Sequence, residues 1–295
     1  MGEQRRILRN MFICYNWMPT IAEHIIDIPL EFYTNSGVSP MHSYPKFSIQ
    51  GIRENDTIFV KTDYIVSGQF GNIVDKIKVP FNLITGVSSY NIGRDGGDVY
   101  KKILEYDNLI KWVCTNPPNI ESEKIIPIPI GFPERERPTG DEGLLKRFHK
   151  DRKPHADKLK KAYLPFHDFS TNLSREKEFN DISKEPKVEA EKSKLSIEEY
   201  YKKMDSYQYT ICLQGRGPDI HRIYESFLVG SIPVVVNNPV IYKMLDYYKL
   251  NYVRCPESSC IKESIEEHRN NDISINDNFI ILENLKNRVL RNLNK

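Results

Sequence analysis

No apolar run in the sequence approaches the ~20 residues that a membrane-spanning helix needs, so no transmembrane segment is expected. The opening MGEQRRILRN has no apolar signal core, and Arg6 stands where a myristoylation signal needs Ser or Thr. Charge of one sign is missing as well. With 42 Lys and Arg against 40 Asp and Glu, the net charge is only +2 and both signs are mixed, which points away from nucleic acid or a membrane surface as principal partner. Cysteine is scarce: five residues, odd in number, scattered and without C-x-x-C. Cys14, Cys114 and Cys212 lie inside apolar stretches and read as buried reduced thiols, the pattern of a cytoplasmic protein, so the sequons at Asn55 and Asn172 carry no expected glycan. Neither an internal repeat nor a low-complexity tract is present.

What remains is a chain of 295 residues, 39% hydrophobic, enough for two ordinary domains or one large α/β unit. Short apolar runs at 11–14, 57–60 (TIFV), 81–85 (FNLIT), 110–114 (IKWVC) and 125–130 (IIPIPI) alternate with patches able to form helices, such as 98–106. That rhythm predicts a parallel α/β sheet. From 131 to 161 the chain turns polar and carries Pro133, Pro138 and Pro154. The predicted division is therefore a Rossmann-like domain over 1–135, a crossing over 136–160, a second Rossmann-like domain over 161–278 that opens with KAYLPF, and a terminal helix over 279–295. The charged stretch 175–203 reads as solvated helices with a loop at Pro186. Ligands of open α/β sheets bind at the carboxyl ends of strands, so two such domains are expected to face a central cleft.

One stretch concentrates the chemistry, QGRGPDIHRIYESFLVGSIPVVV at 214–236. It lies between two continuous apolar runs, 209–213 and 232–236, of the kind that parallel strands buried on both faces carry. Gly215, Gly217 and Pro218 make a turn, and Asp219 is a suitable N-cap. Ile220, Ile223, Tyr224, Phe227 and Leu228 recur at helical spacing until Gly230 supplies the stop. The free N–H groups and dipole of such a helix start favour an anion. Arg222 offers a bidentate fork for phosphate oxygens and Glu225 an acceptor for sugar hydroxyls, with His221 beside them. The competing reading makes Arg222 and Glu225 a solvated i,i+3 pair worth about 0.2–0.5 kcal/mol. A dinucleotide fingerprint is excluded because its third Gly would fall on Ile220, and no G-K-[ST] follows the turn.

G215-R-G-P-D-I-H-R-I-Y-E225 followed by G230-S-I-P-V-V235 resembles the nucleotide-sugar-binding segment of exostosin-like glycosyltransferases. Upstream, W-V-C-T-N at 112–116, I-P-I-P-I-G at 126–131 and S-T-N-x-x-R at 170–175 resemble the same group in the same order, so the likeness spans roughly 57–239. It is closest to short soluble members from bacteria and large DNA viruses, which would place the chain in a host cytoplasm if viral. The resemblance implies the GT-B fold, a C-terminal domain holding a nucleotide sugar, an N-terminal domain holding a glycan acceptor, and inverting transfer of the sugar to an acceptor hydroxyl. UDP is the implied nucleotide, with a pentose such as xylose as the implied sugar. No D-x-D occurs in the chain, so the leaving diphosphate is expected to be held without metal or other cofactor, by the helix start, Arg222, Arg175 and His221, with Asn172, Gly215, Gly217, Asp219 and Glu225 completing the donor site. Inverting transfer also needs a base. Relatives carry an acidic residue where this chain has Ser88 and Ser89, so Asp95, in a Gly-rich loop, Asp63, at a strand end, and His42 all stand as candidates, and Asn116 joins Ser88 and Ser89 on the acceptor side. Loss of the base would instead leave a non-catalytic nucleotide-sugar or glycan-binding protein.

Overall fold

The computed structural model describes residues 11–14, 17–26, 49–135, 137–269 and 277–293. His42 lies outside the described residues. The chain divides into two compact units: 1–9, 15–130 and 286–295 form the first, and 10–14 with 131–285 the second. The boundary thus falls at 130/131, and the proline-bearing stretch after it belongs to the second unit, where it forms a ten-residue helix.

In the first unit, five parallel strands run in chain order: β1 (His24–Ile26), β2 (Thr57–Lys61), β3 (Phe81–Gly86), β4 (Leu109–Cys114) and β5 (Ile125–Pro127). Helices α1 (Thr62–Val66), α2 (Gly71–Val74), α3 (Ile92–Asp95) and α4 (Val99–Leu104) connect them. Every residue of β2 and β3 is buried, which is why these segments read as continuous rather than alternating apolar runs. The two-residue period is still at work. Ile58, Val60, Leu83 and Trp112 share one core with Ile65 and Phe70, and Phe59, Ile84 and Val113 point to the other face.

The second unit holds α5 (Glu142–Asp151), β6 (Leu159–Leu164), α6 (Ser174–Ile182), β7 (Val188–Ala190), α7 (Ile197–Met204), β8 (Tyr207–Cys212), α8 (His221–Leu228), β9 (Ile232–Val236), α9 (Pro239–Tyr247), β10 (Val253–Cys255) and α10 (Ile261–Arg269). Helix α11 (Leu282–Leu293) closes the chain and buries Leu282, Leu285, Val289 and Leu293, a stripe at helical spacing. The sheet is parallel, in the order β10-β9-β8-β6-β7. Ala162, Leu164, Ile211, Leu213 and Val234 pack with Phe179 and Ile182 of α6 and Ile261 and Ile265 of α10. Alternate residues such as Tyr163, Thr210 and Val235 face the opposite side.

Four described strands, β1, β5, β7 and β10, have only three residues each, and of these only β5, which opens the apolar run 125–130, had a sequence signal. The apolar run at 11–14 is not a sheet strand. Phe12 makes an antiparallel bridge to Ile281, Cys14 makes a parallel bridge to Phe132, and the Ile13 N–H donates to the Ile280 carbonyl at 2.9 Å. Stretch 175–203 is less solvated than its composition suggests, because α7 buries Tyr201 and Met204 completely. Gly230 ends α8 with φ +68°, a conformation that glycine adopts without strain.

Candidate functional site

The strand order of the second unit has a switch point. The chain leaves β6 toward β7 on one side and leaves β8 toward β9 on the other, and a crevice opens at the carboxyl ends of such a strand pair. The first unit, ordered β1 to β5 without reversal, has none among its described strands. The loops bordering the crevice are 165–173 after β6 and 213–220 after β8.

Two polar side chains stitch these loops together. Arg175, 9% exposed, donates from Nε to the Gln214 carbonyl at 2.7 Å, from Nη1 to that of Asp168 at 3.1 Å and from Nη2 to that of Leu213 at 3.3 Å. Asn172 Nδ2 donates to the carbonyls of Gln214 at 3.2 Å and Gly215 at 3.3 Å. A Cβ on Gly215 would come within 3.0 Å of Arg175 Nη2, so this glycine serves the close approach of the guanidinium. Burial, then the nearby Arg222 charge, pulls the Arg175 pKa down to about 10. Arg175 and Asn172 are thus spent on holding the glycine turn.

Arg222 sits in the first turn of α8 and is oriented from three sides. Its Nη1 donates to His167 Nε2, its Nη2 to the Phe166 carbonyl at 3.1 Å and its Nε to the Tyr200 hydroxyl at 3.2 Å. His167, 1% exposed, donates from Nδ1 to the Pro165 carbonyl at 2.6 Å, which leaves Nε2 as the acceptor that Arg222 needs. Tyr200 donates in turn to Glu225 Oε2 at 2.6 Å. Glu225 is only 6% exposed, which overturns the reading of Arg222 and Glu225 as a solvated surface pair. His167, Arg222, Tyr200 and Glu225 form one chain of hydrogen bonds drawn from a loop and two helices.

Arg222 and Glu225 line a pocket of about 430 Å³ together with Tyr163, Phe166, Leu195 and Tyr200. Among the described residues, Asn172, Arg175, Gly215, Gly217, Asp219 and His221 do not line it. His221 donates from Nδ1 to the Gly131 carbonyl at 2.7 Å. Asp219 does not stand at the N-cap; Ile220 occupies that position, and Asp219 Oδ2 accepts the Tyr224 hydroxyl at 2.5 Å.

In the first unit, the expected acceptor-side residues do follow strands. Asn116 and the β-branched Val87 both have positive φ, +47° and +57°, directly after β4 and β3, backbone strain of a kind that gathers at functional sites. Ser88 is buried and Ser89 exposed. Asp95 is committed locally: Oδ2 accepts the Asn91 N–H at 2.7 Å and Arg94 Nη2 at 2.9 Å, and Oδ1 accepts Arg94 Nε at 2.9 Å. Its Gly-rich loop is the short helix α3, with Asn91 as the N-cap. Asp63, one residue into α1, keeps Oδ2 buried without a hydrogen bond, with Lys61 Nζ 3.9 Å away.

Four histidines of the second unit give the site and its surroundings a pH dependence. His155, His167, His221 and His268 are each held below the ordinary imidazole value, with burial the first cause in every case. Lys158 adds to the effect at His155, Arg222 and Arg175 at His167, and His155 at His268. Below about pH 6.5 the unfolded chain takes up protons that the folded unit refuses, so stability is full above that pH and declines as pH falls. Urea denaturation at pH 7.5 and pH 5.5 should give a clearly lower midpoint at the acid pH. A flat profile would contradict the burial of these rings.

Sequence reasoning reached Arg222 and Glu225 but missed Tyr163, Phe166, His167 as the partner of Arg222, and Tyr200. No family model matches the chain, and no curated protein does.

Proposed function

We propose that the chain is an inverting glycosyltransferase that takes a nucleotide sugar, with UDP as the nucleotide, into the second unit and passes the sugar to a hydroxyl of a glycan acceptor. One observation carries the reading: Arg222 and Glu225, joined through Tyr200, line a pocket beside the switch point of a parallel sheet. A guanidinium has five N–H donors, and three of those of Arg222 serve to aim it, so two are left for oxygens of a ligand. Glu225 can accept from ribose hydroxyls. The dipole at the start of α8 and the Arg222 charge would stabilise a departing diphosphate electrostatically. The GT-B assignment, with an acceptor held by the first unit, and a xylosyl donor belong to the same proposal.

The base removes the proton of the acceptor hydroxyl as that oxygen attacks the anomeric carbon in line and the diphosphate leaves. Asp63 suits the role better than Asp95, because one of its oxygens has no hydrogen bond whereas both oxygens of Asp95 are occupied. The occupied Asp95, with serines at 88 and 89, is also what favours the second reading, a nucleotide-sugar-binding protein without turnover.

Calorimetry with UDP and a panel of UDP-sugars in EDTA tests the proposal. Saturable binding of UDP, tightened by one sugar, is the expected result, and slow hydrolysis of that UDP-sugar would separate the enzyme from the binder. Absence of binding to any nucleotide or nucleotide sugar would remove both readings.

A further inference from the structure

We infer that Tyr163 selects the ligand of this pocket by hydrogen-bonding the ring edge of a nucleobase, so that the body of the pocket takes the heterocyclic end of the nucleotide and the phosphates lie on its Arg222 side. The inference rests on the donor-site reading and adds to it a part of the ligand and a residue that reads it.

Tyr163 lies in the last turn-ward residues of β6, on the sheet face opposite α6 and α10, and lines the pocket. The side chain is 0% exposed and its hydroxyl makes no hydrogen bond. A buried hydroxyl without a partner costs roughly 1–3 kcal/mol, and native proteins leave few of them. Its neighbours hold the ring without satisfying the oxygen. Tyr207 stacks on it with centroids 5.4 Å apart, and Lys203 Nζ, 5.7 Å from the ring centre, donates to Glu191 at 2.6 Å. Burial, then the Glu191 charge, pushes the phenol up, so it stays an O–H able both to donate and to accept.

The rest of the pocket suits a flat, uncharged ring better than a phosphate. Phe166 and Tyr200 supply aromatic surface, and Leu195 and Ile197 aliphatic surface. The charged lining is Asp168, Glu191 and Glu225 against Lys194 and Arg222, three carboxylates to two cations, so away from its cations the pocket suits an uncharged ring and not a phosphate. Glu225 adds an acceptor suited to the sugar hydroxyls next to a base. A site that hydrogen-bonds one ring edge rejects rings whose edge does not match, so Tyr163 would set the choice among nucleotides.

The test compares the protein with its Tyr163→Phe variant, using calorimetry with UDP, CDP, GDP and ADP and thermal unfolding without ligand. The expected result has two parts. The variant unfolds at the same or a higher temperature, because a partnerless hydroxyl has gone, and its affinity for the diphosphate bound best falls about tenfold, with narrower discrimination among the four. Equal affinity in the two proteins would overturn the inference and leave the donor site standing, and a lower unfolding temperature with unchanged affinity would mark the hydroxyl as structural. Should the unaltered protein bind none of the four, the donor reading falls and this inference with it.

Discussion

Arg222→Ala is expected to weaken UDP binding about 100-fold. A hydrogen bond to a charged group contributes roughly 1.5–3 kcal/mol, and about 2.7 kcal/mol is two decades of affinity. The arginine is held by His167, the Phe166 carbonyl and Tyr200, so the remaining N–H groups are presented in one fixed direction at little entropic cost. Arg222→Lys should not rescue it, since a single ammonium cannot replace a fork that bonds three protein oxygens and nitrogens while facing a ligand. Calorimetry at a temperature well below unfolding reads the effect, because the substitution also strands the His167 Nε2 acceptor. An affinity for UDP within twofold of the unaltered protein would remove Arg222 from the donor site.

The largest loss of stability is expected at a pair that does not line the pocket. Lys158, whose side chain is fully buried, donates to the Asp205 carboxylate, to the Asp205 carbonyl at 2.6 Å and to the Val229 carbonyl at 2.8 Å. Burial is the first cause that lowers its pKa, and Asp205 opposes it. Asp205→Ala leaves the ammonium in place without its counter-charge, which costs about 3–5 kcal/mol. Replacing the pair as a whole, by Lys158→Met with Asp205→Ala, should recover most of that loss, because the desolvation penalty goes with the charge. Urea denaturation of the three proteins checks both statements, and a single variant less than about 1 kcal/mol below the unaltered protein would contradict the first.

The parts of the fold that the sequence announces are those built from local rules. Strands β2, β3, β8 and β9 are continuous runs of β-branched and aromatic residues, and the spacing of Ile223, Tyr224, Phe227 and Leu228 marks α8. Three-residue strands offer no period to detect, so β1, β7 and β10 escaped and depend on the longer strands they pair with, whereas β5 was legible only because it opens the longer apolar run 125–130. The same divide runs through the site. Arg222 and Glu225 are on a helix whose start follows a glycine turn, a pattern visible in one dimension. The role of Arg175 is not visible there, because the acceptors that tie it to the glycine turn, Leu213 and Gln214, are 38 and 39 residues away. Tyr200 was hidden by the charged residues around it, and Asp219 was expected to cap because its residue type suits caps, whereas its carboxylate goes to Tyr224.

The bridges of Phe12 and Cys14 bear on how the molecule is made. Residues 11–14 are synthesised well before their partners, which are Phe132, whose N–H donates to the Ile13 carbonyl at 2.8 Å, and residues 280–282, with Leu282 donating to the Met11 carbonyl at 2.9 Å. The second unit is therefore closed only after residues 280–282 have been made, while most of the first unit, 15–130, is spliced into the interval between one short segment of the second and the rest. Domains commonly fold in order of synthesis. Here residues 11–14 have to wait for residues 280–282, and a polypeptide started at residue 131 would lack the piece that joins Phe132 to Ile280.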